Sequence, residues 1–155
     1  MEKRTIEEEL EKRDYLLLQT AGISMEPLLH NRKSSAVIRK APPVLKKYDV
    51  VLFKRPGTEE YVLHRILKIR KKDYLICGDN GLYREPVAQK NILGIMAGFY
   101  PDEGGEYIAC EDRKYRRYLR TLGLRYAVRR LKALPGRIRK RLAKEKKPGR
   151  EKDWR

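Results

Sequence analysis

Two residues of this sequence could form a nucleophile and its base. Ser24 lies in "GISMEPLL" (residues 22–29), directly after the apolar run "YLLLQTA", and His64 lies in "YVLHRILKI". A serine hydroxyl is a weak nucleophile at neutral pH, and an imidazole, with an ordinary pKa of about 6.5, can take up its proton and return it. The pair therefore indicates nucleophilic catalysis, provided that the fold brings the two side chains together.

Each residue also has a structural interpretation. Ser24 could cap one helical turn, with Pro27 tolerated in the first turn because its missing N–H has no partner there. The same geometry would present the hydroxyl outward and leave nearby backbone N–H groups for an oxyanion. Strand alternation places His64 on the face of Val62 and Ile66, where a histidine can simply be a core residue, while Arg65 points the other way. His30, at the edge of a polar loop, is expected to be solvated.

A third group would have to orient the imidazole. Asp79 in "CGDNG" is one candidate, although Asp-Asn-Gly is also a favourable hairpin turn because Asn and Gly tolerate positive φ. Glu85 is a second carboxylate, six residues further on. The pattern leaves the choice between them open.

The elements that would position these residues are mostly short strands. Residues 5–13 predict a short polar helix, in which Thr5 and Glu8 are spaced as a capping box. From Tyr15 to about Ile108, apolar runs alternate with turn-forming stretches. This spacing indicates a mainly β domain with a compact, antiparallel, barrel-like sheet. The runs are "YLLLQT", "SAVIRK", "DVVLFKR", "YVLHRILKI", "YLICGD", "ILGIMAGFY" and "EYIAC".

Charge separates the chain into two parts. The formal net charge is +17, and residues 111–155 hold 19 basic and 5 acidic residues, or +14 of it. We therefore divide the chain into a β domain (1–110) and a basic amphipathic helix with its tail (111–155). The helical stripe is Tyr115, Leu119, Leu122, Tyr126, Leu131 and Leu134. A break is expected at Pro135-Gly136, with the remainder frayed or disordered.

The cysteine content and the distribution of charged residues indicate where the protein works and whether it binds a metal. Cys77 and Cys110 are far apart and have no partner at zinc-like spacing, so we expect reduced thiols, no metal and no cofactor. The N-terminus is charged throughout, unlike a secretory signal. The longest uncharged runs have 11 residues, short of the roughly 20 that span a bilayer. We expect a cytoplasmic protein, with the basic helix as a means of contact with an anionic membrane at its inner face.

Four motifs in order resemble the signal peptidase I family and its relatives, the self-cleaving SOS and phage repressors. They are "GISMEPLL", "YDVVLFKR", "YVLHRILKI" and "YLICGDNG", and the resemblance covers about residues 15–100. It implies the signal-peptidase fold and a serine peptidase with Ser24 as nucleophile. Where bacterial members have a lysine base, the archaeal and endoplasmic-reticulum branch has histidine in "HRI", which matches His64-Arg65-Ile66 here.

The resemblance also implies roles beyond the nucleophile and base. Asp79 matches the aspartate of "GDN" and would support the dyad, while Gly22, Ile23 and Met25 would contact an extended peptide substrate, such as the leader of a ribosomally made peptide. Two departures stand out: a further aspartate common in the histidine branch is missing, and no transmembrane anchor is visible. The alternatives are an inert module of the same fold that recruits nucleic acid through the basic tail, which we do not favour, and a membrane-surface adaptor that presents peptides.

Overall fold

A computed structural model describes residues 5–145 of the backbone and residues 5–134 with their side chains. Within that range, two helices and eight strands follow one another, with a 3₁₀ turn at Gln89–Asn91. The helices are α1 (Ile6–Lys12) and α2 (Arg113–Glu145). The strands are β1 (Leu16–Gln19), β2 (Ser35–Lys40), β3 (Val50–Lys54), β4 (Tyr61–Ile69), β5 (Tyr74–Cys77), β6 (Glu85–Val87), β7 (Ile92–Tyr100) and β8 (Ile108–Ala109).

The strands form one antiparallel sheet in the order β1-β2-β7-β3-β4-β5-β6, with β8 added beside β7. The predicted mainly β class with a short N-terminal helix and a C-terminal helix is therefore confirmed. The sheet stays open, because β1 and β6 lie at opposite ends of the order among the described strands. Strand β6 was not predicted: it has three residues, one of them Pro86, and is held by pairing with β5.

Strand β3 lies at the middle of the sheet and is covered on both faces. Val50 and Leu52 belong to one core cluster, whereas Val51 and Phe53 belong to a second on the opposite side. This explains why "VVLF" is a continuous apolar run instead of an alternating one. The first cluster also includes Met25 from the turn that carries Ser24.

Helix α1 begins as predicted. The Thr5 hydroxyl accepts a hydrogen bond from the Glu8 backbone N–H, and the Glu8 carboxylate accepts one from the Thr5 N–H, which completes a capping box. Leu10 is buried in the first core cluster. Tyr61 on β4 donates its hydroxyl to Glu7 at 2.6 Å, so α1 lies against the strand that carries His64.

Helix α2 packs the first part of its predicted stripe on the sheet, whereas Leu131 and Leu134, predicted to continue it, are 65% and 48% exposed. Tyr115 and Leu122 are buried, and Tyr118 and Leu119 pack against the first core cluster. The predicted break at Pro135-Gly136 is wrong, since the helix continues to Glu145. Proline removes one backbone hydrogen bond and glycine costs about 1 kcal/mol, and the neighbouring turns, which are rich in Leu, Lys, Arg and Ala, favour helix strongly enough to continue. Residues 137–145, expected to fray, are helical, and residues 146–155 lie outside the described residues.

Neither described helix combines the length and hydrophobicity that crossing a bilayer requires.

Candidate active site

Ser24 and His64 line the same cleft. The cleft has a volume of about 680 Å³ and lies between the Ser24 turn, β1, β3 and β4. Its walls are largely apolar, with a few polar groups, as is usual for ligand-binding clefts. The apolar lining includes Leu18, Ile23, Leu52 and Leu63. Two residues that are 40 positions apart in the chain are thus brought to one concave surface.

The Ser24 turn is anchored by Met25 and leaves Ser24 at the surface. Met25 is only 5% exposed, and its carbonyl accepts hydrogen bonds from the N–H groups of Leu28 (3.0 Å) and Leu29 (3.1 Å). The segment is a series of turns, not a helix, so Ser24 is not a helix cap. Among the described residues, the Ser24 hydroxyl has no hydrogen-bond partner, and the N–H groups of Ser24 and Met25 have no acceptor.

The three predicted substrate-contact residues also line this cleft. Gly22 has a φ of +86°, a conformation that favours glycine, and its N–H donates to Asn31 Oδ1 at 2.8 Å. Ile23 is 60% exposed at the rim, whereas Met25 points into the core. The turn therefore offers one exposed apolar side chain beside the serine.

His64 is held on β4, opposite Val51 of β3. Its side chain is 13% exposed, and its ring lies 6.2 Å from the ring of Phe53. Nδ1 lies 3.3 Å from Glu85 Oε1, yet it is not aligned for a hydrogen bond and has no other partner among the described residues. Burial lowers the pKa of His64 below its usual value, and the negative charge of Glu85 opposes that shift only in part.

Glu85, at the start of β6, is shared between His64 and Arg55. Arg55 Nε lies 3.3 Å from Glu85 Oε2, and Arg55 Nη2 lies 3.4 Å from Oε1. Arg55 Nη1 also donates to Glu60 at 2.8 Å. Arg55 was not among the residues singled out from the sequence, because it lies in the turn-forming stretch after β3. Its charge lowers the pKa of His64, while that of Glu85 raises it.

Asp79 lies in a different environment. Its carboxylate accepts two hydrogen bonds from Arg65, from Nε at 2.6 Å and from Nη2 at 2.7 Å, and neither side chain is exposed. Among the described residues it makes no hydrogen bond to His64. Arg65 was assigned to the face away from His64, and the structure puts it there, fully buried. A lone arginine inside an apolar strand is a signal that a buried carboxylate lies nearby.

The residues on either side of Asp79 contact the Ser24 turn. Asn80 donates its N–H to the Ser24 carbonyl at 2.7 Å, and its side-chain amide donates to the Ile23 carbonyl at 3.2 Å. Gly78 packs so closely that an added Cβ would lie 2.5 Å from the Ser24 carbonyl oxygen. "GDN" thus holds the backbone of the serine turn, in addition to forming a turn of its own.

The other candidates lie outside this arrangement. His30 is exposed, with Nε2 at 3.2 Å from the Pro27 carbonyl. Burial raises the pKa of Cys77 and of Cys110 to about 11, so both thiols stay protonated near neutral pH. In the described part of the chain, no group of three His, Cys, Asp or Glu residues is placed to hold a metal ion.

Comparison with known proteins agrees with the motifs at a coarse level. The chain is similar to the signal peptidase complex catalytic subunit SEC11C of Homo sapiens, Mus musculus and Canis lupus familiaris, with 29% identity over 103 residues. The match covers 57% of this chain and 54% of each relative, so the chain spans about half the length of the curated relatives it matches. No family model and no solved structure matches. The similarity to a signal peptidase catalytic subunit is thus distant and partial.

Proposed function

We propose that this protein is a serine peptidase of the signal-peptidase type, with Ser24 as nucleophile and His64 as general base. The observation that carries the proposal is that Ser24 and His64 line one cleft while a carboxylate lies beside Nδ1 of the histidine. With Nδ1 turned to Glu85, Nε2 is the nitrogen left to accept the serine proton. Catalytic hydrogen bonds are often long before substrate binds, which suits the loose 3.3 Å approach.

The reaction follows from these groups. Ser24 Oγ attacks the peptide carbonyl while His64 takes the hydroxyl proton, and the resulting oxyanion is stabilised by the unpartnered N–H groups of the turn, those of Ser24 and Met25. His64 then gives the proton to the leaving amine, and the C–N bond breaks. Water then attacks the acyl-enzyme while His64 takes a proton from it, and His64 passes that proton to Ser24 Oγ as the ester bond breaks, which releases the product acid and restores the serine hydroxyl.

Glu85 is the better candidate for the group that orients His64. It lies 3.3 Å from Nδ1, whereas Asp79 has both carboxylate oxygens bonded to Arg65. A carboxylate at Nδ1 fixes the tautomer that leaves Nε2 free and stabilises the imidazolium formed during the reaction. We assign Asp79 instead to holding the "GDN" turn, which supports the backbone of the serine turn.

The substrate is proposed to be an extended peptide segment. The cleft runs beside β1, which is the terminal strand of the sheet, and Leu18, Gln19 and Thr20 contribute to its lining. A terminal strand has free backbone groups to which an extended peptide can pair. The apolar lining suits small or apolar side chains near the bond that is cut. A leader peptide meets these requirements.

We also propose that the protein works in the cytoplasm and touches an anionic membrane through α2. The first part of the stripe identified in the sequence, from Tyr115 to Leu122, is covered by the sheet, so another face must make this contact. On the opposite side of α2, Arg113, Arg117 and Arg120 are exposed, followed by Leu124, Val128 and Leu131, which are 69%, 41% and 65% exposed. Basic residues attract anionic headgroups, and leucine can enter the interface.

A binding module without catalysis is the second candidate. The exposed arginines near the start of α2 favour it, since they have no carboxylate partner in the described part of the chain and suit phosphate groups of any source. Nucleic-acid binding that weakens steeply with salt, together with no peptide cleavage, would be its signature.

The deciding experiment is digestion of a peptide library by the full chain, with products read by mass spectrometry. Ser24→Ala should abolish cleavage, whereas Ser35→Ala, the same change on a strand outside the cleft, should leave it intact. Equal cleavage by the wild type and Ser24→Ala would show that Ser24 is not the nucleophile. A serine-directed fluorophosphonate that labels Ser24 would support the assignment independently.

A further inference from the structure

Helix α2 contributes side chains that hydrogen-bond to Asp79, the central residue of the "GDN" turn that supports the serine turn. Tyr118 donates its hydroxyl to Asp79 Oδ2 at 2.8 Å, and Tyr126 lies 3.3 Å from both Asp79 Oδ1 and the Gly78 carbonyl. Arg129 Nη1 donates to the backbone carbonyl of Asp79. Three side chains over three turns of one helix thus converge on two adjacent residues of the "GDN" turn.

The protonation states fit this arrangement. Burial and the negative charge of Asp79 both raise the pKa of Tyr118 and Tyr126, so each hydroxyl keeps its proton and can donate. Burial alone would discourage a charged guanidinium, but the hydrogen bonds to Asp79 outweigh it and raise the pKa of Arg65. The Asp79 side chain thus accepts hydrogen bonds from donors on the sheet and on α2.

The contacts continue from Asp79 to the serine. Asn80 donates to the Ser24 carbonyl at 2.7 Å, and Gly78 lies so near the same carbonyl that an added Cβ would be 2.5 Å from its oxygen. Asp79 lies between these two residues in the chain, so a shift of its backbone moves both. Through it, α2 is connected to the turn that carries Ser24, although none of the helix residues whose side chains are described (113–134) lines the cleft.

We propose that Tyr118, Tyr126 and Arg129 are positioning residues for Ser24, which makes the first half of the basic helix a part of the catalytic unit. The inference rests on the proposed function for its kinetic consequence, while its structural consequence is independent of it. A misplacement of about 1 Å in a catalytic group can reduce the rate by about 100-fold, so a small shift of the turn is enough to matter.

The test compares the double variant Tyr118→Phe/Tyr126→Phe with Tyr74→Phe in the full chain. Tyr74 is the matched control, because its hydroxyl bonds to Gln89 at 3.4 Å, away from Asp79 and from the cleft. Arg129→Met is compared with Arg129→Lys, which keeps a cationic donor for the Asp79 carbonyl. Each variant is measured for kcat, for KM, for thermal midpoint and for backbone amide exchange of Glu26, Leu28, Leu29 and Asn80, whose N–H groups are hydrogen-bonded.

We expect kcat to fall roughly 10-fold in the double variant and in Arg129→Met, with KM within about twofold, and Arg129→Lys to recover most of the loss. The Asn80 and Leu29 amides should exchange faster, while those of β7 keep wild-type rates. Unchanged kcat, or loss of protection throughout the sheet, would overturn the proposal and indicate a purely structural role. If the wild type cleaves no peptide, the proposed function fails, and exchange at Asn80 still decides the coupling.

Discussion

Arg65 and Asp79 form a bidentate ion pair, at 2.6 and 2.7 Å, in which neither side chain is exposed to solvent. His64, the residue before Arg65, lies on the other face of β4 and lines the cleft. One strand therefore places a candidate base on one side and an anchor for the "GDN" turn on the other. The alternation of a β-strand is what allows adjacent residues to have such different tasks.

Breaking this pair should be costly. Arg65→Met or Asp79→Leu leaves a buried charge without its partner, and each should lower the free energy of unfolding by about 3–5 kcal/mol. The double variant should recover much of that loss because no charge remains unpaired. Urea titration measures all three. Arg70→Ala, which breaks an exposed pair with Asp73, is the control and should cost less than about 1 kcal/mol. Losses that simply add in the double variant would argue against a coupled pair.

The pH dependence of cleavage should reflect the lowered pKa of His64. The base must be neutral to accept the serine proton, and burial favours the neutral form. The rate, as kcat/KM, should therefore stay level down to about pH 6.5 and fall only below it. Because of the same shift, the folded state binds fewer protons than the unfolded chain as the pH falls. The contribution of His64 to the free energy of unfolding is therefore fully present above about pH 6.5 and is lost as the pH falls through the pKa of His64 in the folded state. A rate that already falls between pH 8 and 7 would contradict a buried, neutral base.

Substitutions of Glu85 and of Arg55 should shift the acid limb of the pH–rate profile, where the rate falls with falling pH, in opposite directions. Glu85→Gln removes a charge that raises the pKa of His64, so the limb should move to lower pH, and kcat should fall by about 100-fold or more as the ring loses its orienting carboxylate. Arg55→Gln removes a charge that lowers the same pKa, so the limb should move to higher pH. Measured pH–rate profiles distinguish the two. Shifts in the same direction would mean that Glu85 is not the partner of His64, and recovery of kcat by Glu85→Asp would support its role.

Membrane contact should depend on the outer face of α2. Replacing Leu124, Val128 and Leu131 together by serine should reduce flotation of the full chain with vesicles rich in phosphatidylserine. Replacing Arg113, Arg117 and Arg120 together by glutamine should also reduce it, and more strongly at low salt. Removing the same charge at Lys33, Lys71 and Lys72 is the matched control, because these exposed residues lie elsewhere on the surface. If the control reduces flotation as much as the helix variants do, net charge and not this face drives binding.

A shorter chain ending near Cys110 is a poor tool for that question. It would remove Tyr115 and Leu122 from the core and Tyr118 from Asp79 along with the basic surface. Its thermal midpoint should be well below that of the full chain, whereas the surface variants above should keep theirs within a few degrees. Equal midpoints for the shortened and full chains would show that α2 adds little to the fold.

Local patterns in the sequence were sufficient to predict several strands, the capping box of α1 and the motifs in their order along the chain. The bounds of β2, β4 and β7 match the apolar runs, because alternation and turn residues act over a few positions and are written in the chain. The capping box at Thr5 is equally local. The sequence also placed His64 and Arg65 on opposite faces, since that requires only the period of a strand.

The tertiary structure decided which carboxylate lies beside which basic side chain. Asp79 and Glu85 are six residues apart and both follow β5, yet one pairs with Arg65 and contacts α2, and the other lies beside His64 and Arg55. The continuation of α2 past Pro135 and the pairing of β6 also depend on context beyond the local pattern. A buried charge must be matched by groups that burial brings to it, and those groups are set by packing between distant segments, which no short stretch of sequence contains.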